Sequence, residues 1–144
     1  TNYGFYLFSY SNNNMLSGNT VSGTGNYAGF QLWNVTYNTF SNNNVSGNNQ
    51  DGFYLSNSSF NTLSGNNASG NSYNGIVLVT SSSYNTLSNN NVGTIVFLRL
   101  AISGLPLTKK ILPIEVSANS TLALFEPSSF WMSSFSFRLN SLRI

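Results

Sequence analysis

The chain has 144 residues, enough for one domain, with 40% hydrophobic, 15% aromatic and only 6% charged side chains. So few charges argue against disorder of the highly charged kind, and a net charge of +2 with no basic stripe among the aromatics argues against a nucleic-acid partner. The absence of Cys excludes a disulfide scaffold and a Cys-ligated zinc site, and the absence of His removes the commonest metal ligand and general base.

The chain opens at Thr1, with no initiator Met and no charged-then-apolar leader, and reads as a piece of a longer protein that enters partway through a repeat. From Gly4 a pattern recurs at Gly29, Gly52 and Gly75, about every 23 residues. Each copy begins Gly, an aromatic or Ile, any residue, Leu. Five or six residues later comes Asn-Thr-Leu-Ser-x-Asn-x-Val-Ser-Gly-Asn, with Asn14-Met15 standing for Asn-Thr in the first copy. The first and fourth copies carry one extra residue before that step.

Four columns of the repeat are apolar. They are Phe5, Phe30, Phe53 and Ile76; Leu7, Leu32, Leu55 and Leu78; Leu16, Phe40, Leu63 and Leu87; and Val21, Val45, Ala68 and Val92. The first two columns lie two residues apart, as on one face of a strand, and no stretch has a sustained helical period. A repeat this short buries its apolar face only by stacking on its neighbours. The expected fold is therefore all-β: a right-handed parallel β-helix of about four coils over residues 1–93, strands pairing in register about 4.8 Å apart. Asn14, Asn38, Asn61 and Asn85 form one polar column, and Asn19, Asn43, Asn66 and Asn90 another. Asn tolerates left-handed corners, and stacked Asn side chains hydrogen-bond along a ladder.

After Val92 the character changes. Only Asn119 and Asn140 follow, and all five basic residues (Arg99, Lys109, Lys110, Arg138, Arg143) and all three prolines lie here. Residues 94–144 are read as a non-repeat tail, and three origins compete: a cap on the last coil, an irregular coil from Thr94–Leu107, or frameshifted sequence. A membrane span is not expected, because Ile95–Leu107 is too short and carries Arg99 and Pro106.

Catalysis on a polysaccharide needs paired carboxylates, or carboxylates holding calcium beside a basic residue. Residues 1–93 offer Asp51 alone and no Lys or Arg, and Asp51 before Gly52 reads as a turn residue. Glu115 and Glu126 lie in the tail. No catalytic, cofactor-binding or metal-binding residue is therefore assigned, and the chain is read as not an enzyme. Outward aromatics are the remaining candidates. Tyr6, Gln31, Tyr54 and Val77 alternate with the inward residues of the first strand, and Trp33, Tyr37, Phe60, Tyr73 and Tyr84 lie outside the apolar columns. Tyr6, Trp33, Tyr54 and Tyr73 are the glycan-stacking candidates, against the alternative that such rings only stack on one another. Glycosylation acceptor patterns occur at Asn34, Asn44, Asn57, Asn67 and Asn119.

The motif Gly-[Phe/Ile]-x-Leu followed by Asn-Thr-[Leu/Phe]-Ser-x-Asn, as in Gly52–Leu55 and Asn61–Asn66, resembles the parallel β-helix repeats of the NosD-type and carbohydrate-binding and sugar-hydrolase (CASH) families over residues 4–93. The resemblance implies the β-helix fold and, in many members, a secreted or surface protein. For NosD it implies help with copper delivery to a periplasmic reductase. The chain departs from a copper role, since Met15 and Met132 are its only soft ligands. The leading expectation is a noncatalytic extracellular, cell-surface or periplasmic β-helix with a structural or adhesive role, without cofactor. The alternatives are a carbohydrate-binding or carbohydrate-active module and a NosD-like copper accessory protein. Expected partners are a polysaccharide or cell-surface glycan, and a second copy by end-to-end association.

Overall fold

The computed structural model describes residues 2–79, 81–98, 118–125 and 134–139. Arg99, Lys109, Lys110, Glu115, Glu126, Met132 and Arg143 lie outside these residues.

Each repeat folds into three short strands separated by corners. The first coil contains β1 (Phe5–Phe8), β2 (Met15–Ser17) and β3 (Thr20–Val21). The second contains β4 (Phe30–Trp33), β5 (Thr39–Ser41) and β6 (Asn44–Val45). The third contains β7 (Phe53–Ser56), β8 (Thr62–Ser64) and β9 (Asn67–Ala68), and the fourth β10 (Ile76–Val79), β11 (Thr86–Ser88) and β12 (Asn91–Val92). Equivalent strands pair in parallel, so the first sheet begins β1-β4-β7-β10, the second is β2-β5-β8-β11 and the third β3-β6-β9-β12. No helix occurs among the described residues. The expected all-β parallel solenoid of about four coils is what the chain forms.

The first sheet continues past residue 93. Strand β13 (Thr94–Leu98) pairs in parallel with β10, placing Ile95 opposite Ile76 and Phe97 opposite Leu78. Strand β14 (Ala118–Phe125) pairs in parallel with β13, and β15 (Ser134–Leu139) antiparallel with β14.

Register follows the apolar columns residue for residue. Phe5, Phe30, Phe53 and Ile76 are aligned, as are Leu7, Leu32, Leu55 and Leu78. A one-residue slip turns every one of these side chains outward, which is why the pattern specifies the register. From Phe30 to Leu87 the columns are buried, whereas Phe5 and Leu16 in the first coil are only partly so. Inside the solenoid Phe5, Phe30 and Phe53 stack at 4.7 and 4.9 Å, and Phe40 meets Phe30 edge-on at 5.5 Å.

The asparagine columns differ from expectation in one respect. The left-handed residue of each corner is the one before the ladder Asn: Tyr37, Phe60 and Tyr84 before Asn38, Asn61 and Asn85, and Asn42, Gly65 and Asn89 before Asn43, Asn66 and Asn90. The left-handed residue reverses the chain, and the following Asn points into the coil with its amide aimed along the axis. There Asn38 N–H donates to Asn61 Oδ1 at 2.9 Å, and Asn61 N–H to Asn85 Oδ1 at 2.8 Å. Nδ2 of each ladder Asn donates to the same oxygen, at 3.2 and 3.1 Å, and a further Asn61 Nδ2 bond reaches Val35 O. The second column repeats this scheme through Asn19, Asn43, Asn66 and Asn90. A third, shorter ladder runs from Thr24 through Asn48 to Asn71. No described buried side-chain N or O atom lacks a hydrogen-bond partner, as low-dielectric burial of amides demands.

Length variation is absorbed at the corners: between the first and second sheets in the first and fourth coils, and once more between Thr24 and Gly29 in the first coil. In the first and fourth coils the extra residue is looped out in a tight turn, with Asn12 N–H bonded to Tyr10 O at 2.8 Å and Ser83 N–H to Ser81 O at 3.1 Å. The glycine that opens each repeat has a different cause from the corner residues. A Cβ on Gly52 stands 2.6 Å from the Gly75 carbonyl oxygen and 2.7 Å from Asn71 Nδ2, so only Gly lets successive coils close to ladder distance here.

Candidate functional site

Along β1, β4 and β7, side chains alternate between the interior and solvent. The outward positions form two rows parallel to the solenoid axis. Tyr6, Gln31, Tyr54 and Val77 make one, and Phe8, Trp33, Ser56 and Val79 the other. Tyr6, Phe8 and Trp33 are 47%, 53% and 47% exposed, Gln31 and Tyr54 are half-buried, and Val77 and Val79 are buried. Ser56 is buried too, so the accessible face spans the first two coils, narrows to Tyr54 in the third and stops at the fourth.

Of the four residues singled out in the sequence, three share this face: Tyr6, Trp33 and Tyr54. Tyr73 lies at the corner that returns the third sheet to the first, in a row with Tyr27 and Gln50 (Tyr73 N–H to Gln50 O, 3.5 Å). That corner borders the face at its first-coil end. Tyr27 stacks on Tyr3 at 4.2 Å, and Tyr3 on Tyr6 at 4.9 Å. Phe8, tilted against Tyr6 at 5.7 Å, also belongs to the face. Its position two residues after Tyr6 carried that signal in the sequence. Among the described residues no ring stacks on Trp33, and its side chain is about half exposed.

The exposed rings of Tyr37, Phe60 and Tyr84 behave differently. They stack on one another at 5.2 and 4.8 Å, with interplanar angles of 14° and 6°. Each face between rings is taken by its neighbour, so the stack shows mainly edges. All three also hold the left-handed corner, with φ of 57°, 58° and 56°, a conformation unfavourable for bulky residues. The ring stack offsets that strain, and mutual stacking is the role the geometry gives these rings.

Asp51 precedes Gly52 at the corner that leads into β7. Its backbone is not left-handed, so the corner does not depend on Asp51 for an unusual conformation. Instead its Oδ1 accepts from Asn74 N–H at 3.0 Å and Asn74 Nδ2 at 2.9 Å, so it serves as a ladder acceptor. Burial pushes the Asp51 carboxyl above the usual carboxylate range, and the Asn74 donors pull it partly back. Such a carboxyl adds stability below its unfolded pKa, and that contribution is lost as pH rises through the folded value. Burial also raises the Tyr54 phenol, and the Asp51 charge raises it further, which ties this corner to the outward face.

The second and third sheets present a plainer surface. Thr39, Thr62 and Thr86 align, as do Ser17, Ser41, Ser64 and Ser88, and Asn44, Asn67 and Asn91 join through side-chain bonds of 2.9 Å. Of the glycosylation acceptor patterns, Asn44 and Asn67 are bonded in this ladder, and Asn57 Nδ2 donates to Asn34 Oδ1 at 3.2 Å. Asn119 lies in β14.

No group of three or more His, Cys, Asp or Glu capable of holding a metal occurs among the described residues. No described helix is long and apolar enough to cross a membrane.

Fold and surface together define a parallel β-helix repeat protein with an aromatic lateral face. The family model described as periplasmic copper-binding protein (NosD) matches residues 1–96, and the chain belongs to that family. Searches of curated proteins and of solved structures find no match. Among the described residues the donor set does not fit copper. Met15 is the one soft ligand among the described residues, 77% exposed, and aligned with the hydroxyl of Thr39 rather than with a second soft donor.

Proposed function

We propose that this chain is a noncatalytic module of a periplasmic or extracellular β-helix protein, whose structural and adhesive role is exercised by binding a polysaccharide on the outward face of the first sheet. The observation that carries this reading is the gathering of Tyr6, Phe8, Trp33 and Tyr54 on one flat face beside Gln31. A sugar ring offers apolar C–H faces and a rim of hydroxyls. An exposed indole suits the first and a neighbouring carboxamide the second. Family membership supports the exported setting, and the lone carboxylate of residues 1–93 supports a noncatalytic role. The division into a repeat body (1–93) and a distinct tail (94–144) belongs to the same proposal.

Calorimetric titration with cellohexaose, mannohexaose and xylohexaose tests it. At least one of these binds the wild-type chain, and Trp33→Ala weakens that binding by about tenfold or more. Tyr37→Asn, which removes a ring of the edge-on stack but keeps a residue suited to the left-handed corner, leaves binding unchanged. Absence of binding to all three sugars, or binding indifferent to Trp33→Ala, counts against the proposal.

A further inference from the structure

The charge on and around this face bears on which polysaccharide it accepts. Residues 1–93 contain no Lys or Arg, and their single charged side chain is Asp51. Recognition of an acidic polysaccharide relies on Arg or Lys pairing with carboxylates, or on calcium bridging them to protein carboxylates. Residues 1–93 hold neither a basic side chain nor a group of carboxylates able to grip calcium. What is present has the opposite sign. Asp51 is fixed at the corner two residues before β7 by the two Asn74 bonds to its Oδ1, and it lies three residues before Tyr54 of the outward row.

We infer that the ligand of this face is an uncharged glycan, laid along the solenoid axis over the first three coils, and that Asp51 turns away acidic sugars. This rests on the carbohydrate reading above and adds the substrate class and a residue that sets it. The axial direction follows from the rows, in which ring, amide and ring succeed one another from Tyr6 through Gln31 to Tyr54 over two coil steps, about 10 Å. Buried Val77 and Val79 close the face at the fourth coil. Asp51 is held at the corner that leads into β7, the strand that carries Tyr54, so a uronate carboxylate bound beside Tyr54 lies close to a charge of its own sign.

The test compares hexagalacturonate with the three neutral hexasaccharides at low ionic strength, where the charge effect is largest. Wild-type chain binds its preferred neutral sugar about fivefold or more tightly than hexagalacturonate. Asp51→Asn keeps an oxygen acceptor for Asn74 and gains affinity for hexagalacturonate by about two- to fivefold. A gain of binding cannot come from a misfolded variant. Hexagalacturonate binding wild type as tightly as the neutral sugars overturns the inference while the carbohydrate site stands, and an unchanged hexagalacturonate affinity in Asp51→Asn overturns the role of Asp51. Failure of every sugar to bind is the separate result that removes the carbohydrate reading, and this inference with it.

Discussion

Asn61→Ala lowers stability by about 3–5 kcal/mol, far more than deletion of a surface amide. Asn61 is fully buried. Its Oδ1 accepts from both Asn38 N–H and Asn38 Nδ2, at 2.9 and 3.2 Å. Its Nδ2 donates to Val35 O, Ser59 O and Asn85 Oδ1, at 3.2, 3.1 and 3.1 Å. Alanine takes the acceptor from the Asn38 N–H and the donor from the Val35 carbonyl, while Asn38 Nδ2 keeps its bond to Thr36 O at 3.2 Å. Each stranded buried group costs about 1–3 kcal/mol. The contrast is Asn67→Ala, which removes bonds of similar length to Asn44 and Asn91 on the solvent side. Water replaces those, and the cost is about 0.5 kcal/mol. Urea melts of the two variants check the difference. Equal midpoints would show that the inner ladder contributes no more than the outer one.

Leu55→Asp abolishes folding. Leu55 is fully buried, held between Leu32 and Leu78 in the central column of the third coil. No donor in that column receives a carboxylate, and burying an unpaired charge costs more than the whole stability of a typical domain. Leu55→Ala, which only opens a cavity, still folds and loses about 2–5 kcal/mol. Circular dichroism and melting of both variants separate these cases. A soluble Leu55→Asp chain that melts cooperatively contradicts the inward assignment of the column.

Much of this fold was legible because a parallel solenoid makes sequence period and spatial register the same thing. Residues 23 to 25 apart in the chain become neighbours, so a column such as Leu7, Leu32, Leu55 and Leu78 could be read directly as a row of contacts. The corners were less legible. Asn is both the residue that tolerates left-handed backbone and the residue that makes amide ladders. Only the geometry divides these roles, giving the turn to Tyr37 or Asn42 and the ladder to Asn38 or Asn43. The outward face shows a similar limit. Alternation placed Tyr6, Gln31, Tyr54 and Val77 outside the coil, but whether an outward residue is accessible depends on what lies beside it, and Val77 is buried. Nor does sequence tell a ring stacked on its neighbours from one that is not. Trp33 and Tyr37 look alike as outward aromatics, and stacking distances distinguish them.

The chain belongs to a family described by copper binding, and its described coils hold one exposed thioether and no His or Cys. A β-helix repeat specifies a rod with regular outward rows, and function resides in whatever those rows display.

Coils stacked in register place Gln31 directly beside Tyr54. Paired cysteines test that placement, with no background because the chain has no native Cys. Adjacent in-register Cα atoms fall within disulfide range, about 4.4–6.8 Å, whereas a diagonal pair exceeds it. Gln31→Cys with Tyr54→Cys therefore oxidises to an intramolecular disulfide in the folded chain, and Gln31→Cys with Ser56→Cys does not. Equal cross-linking of both pairs, or of neither, contradicts the register on which the face, the ladders and the proposed binding site depend.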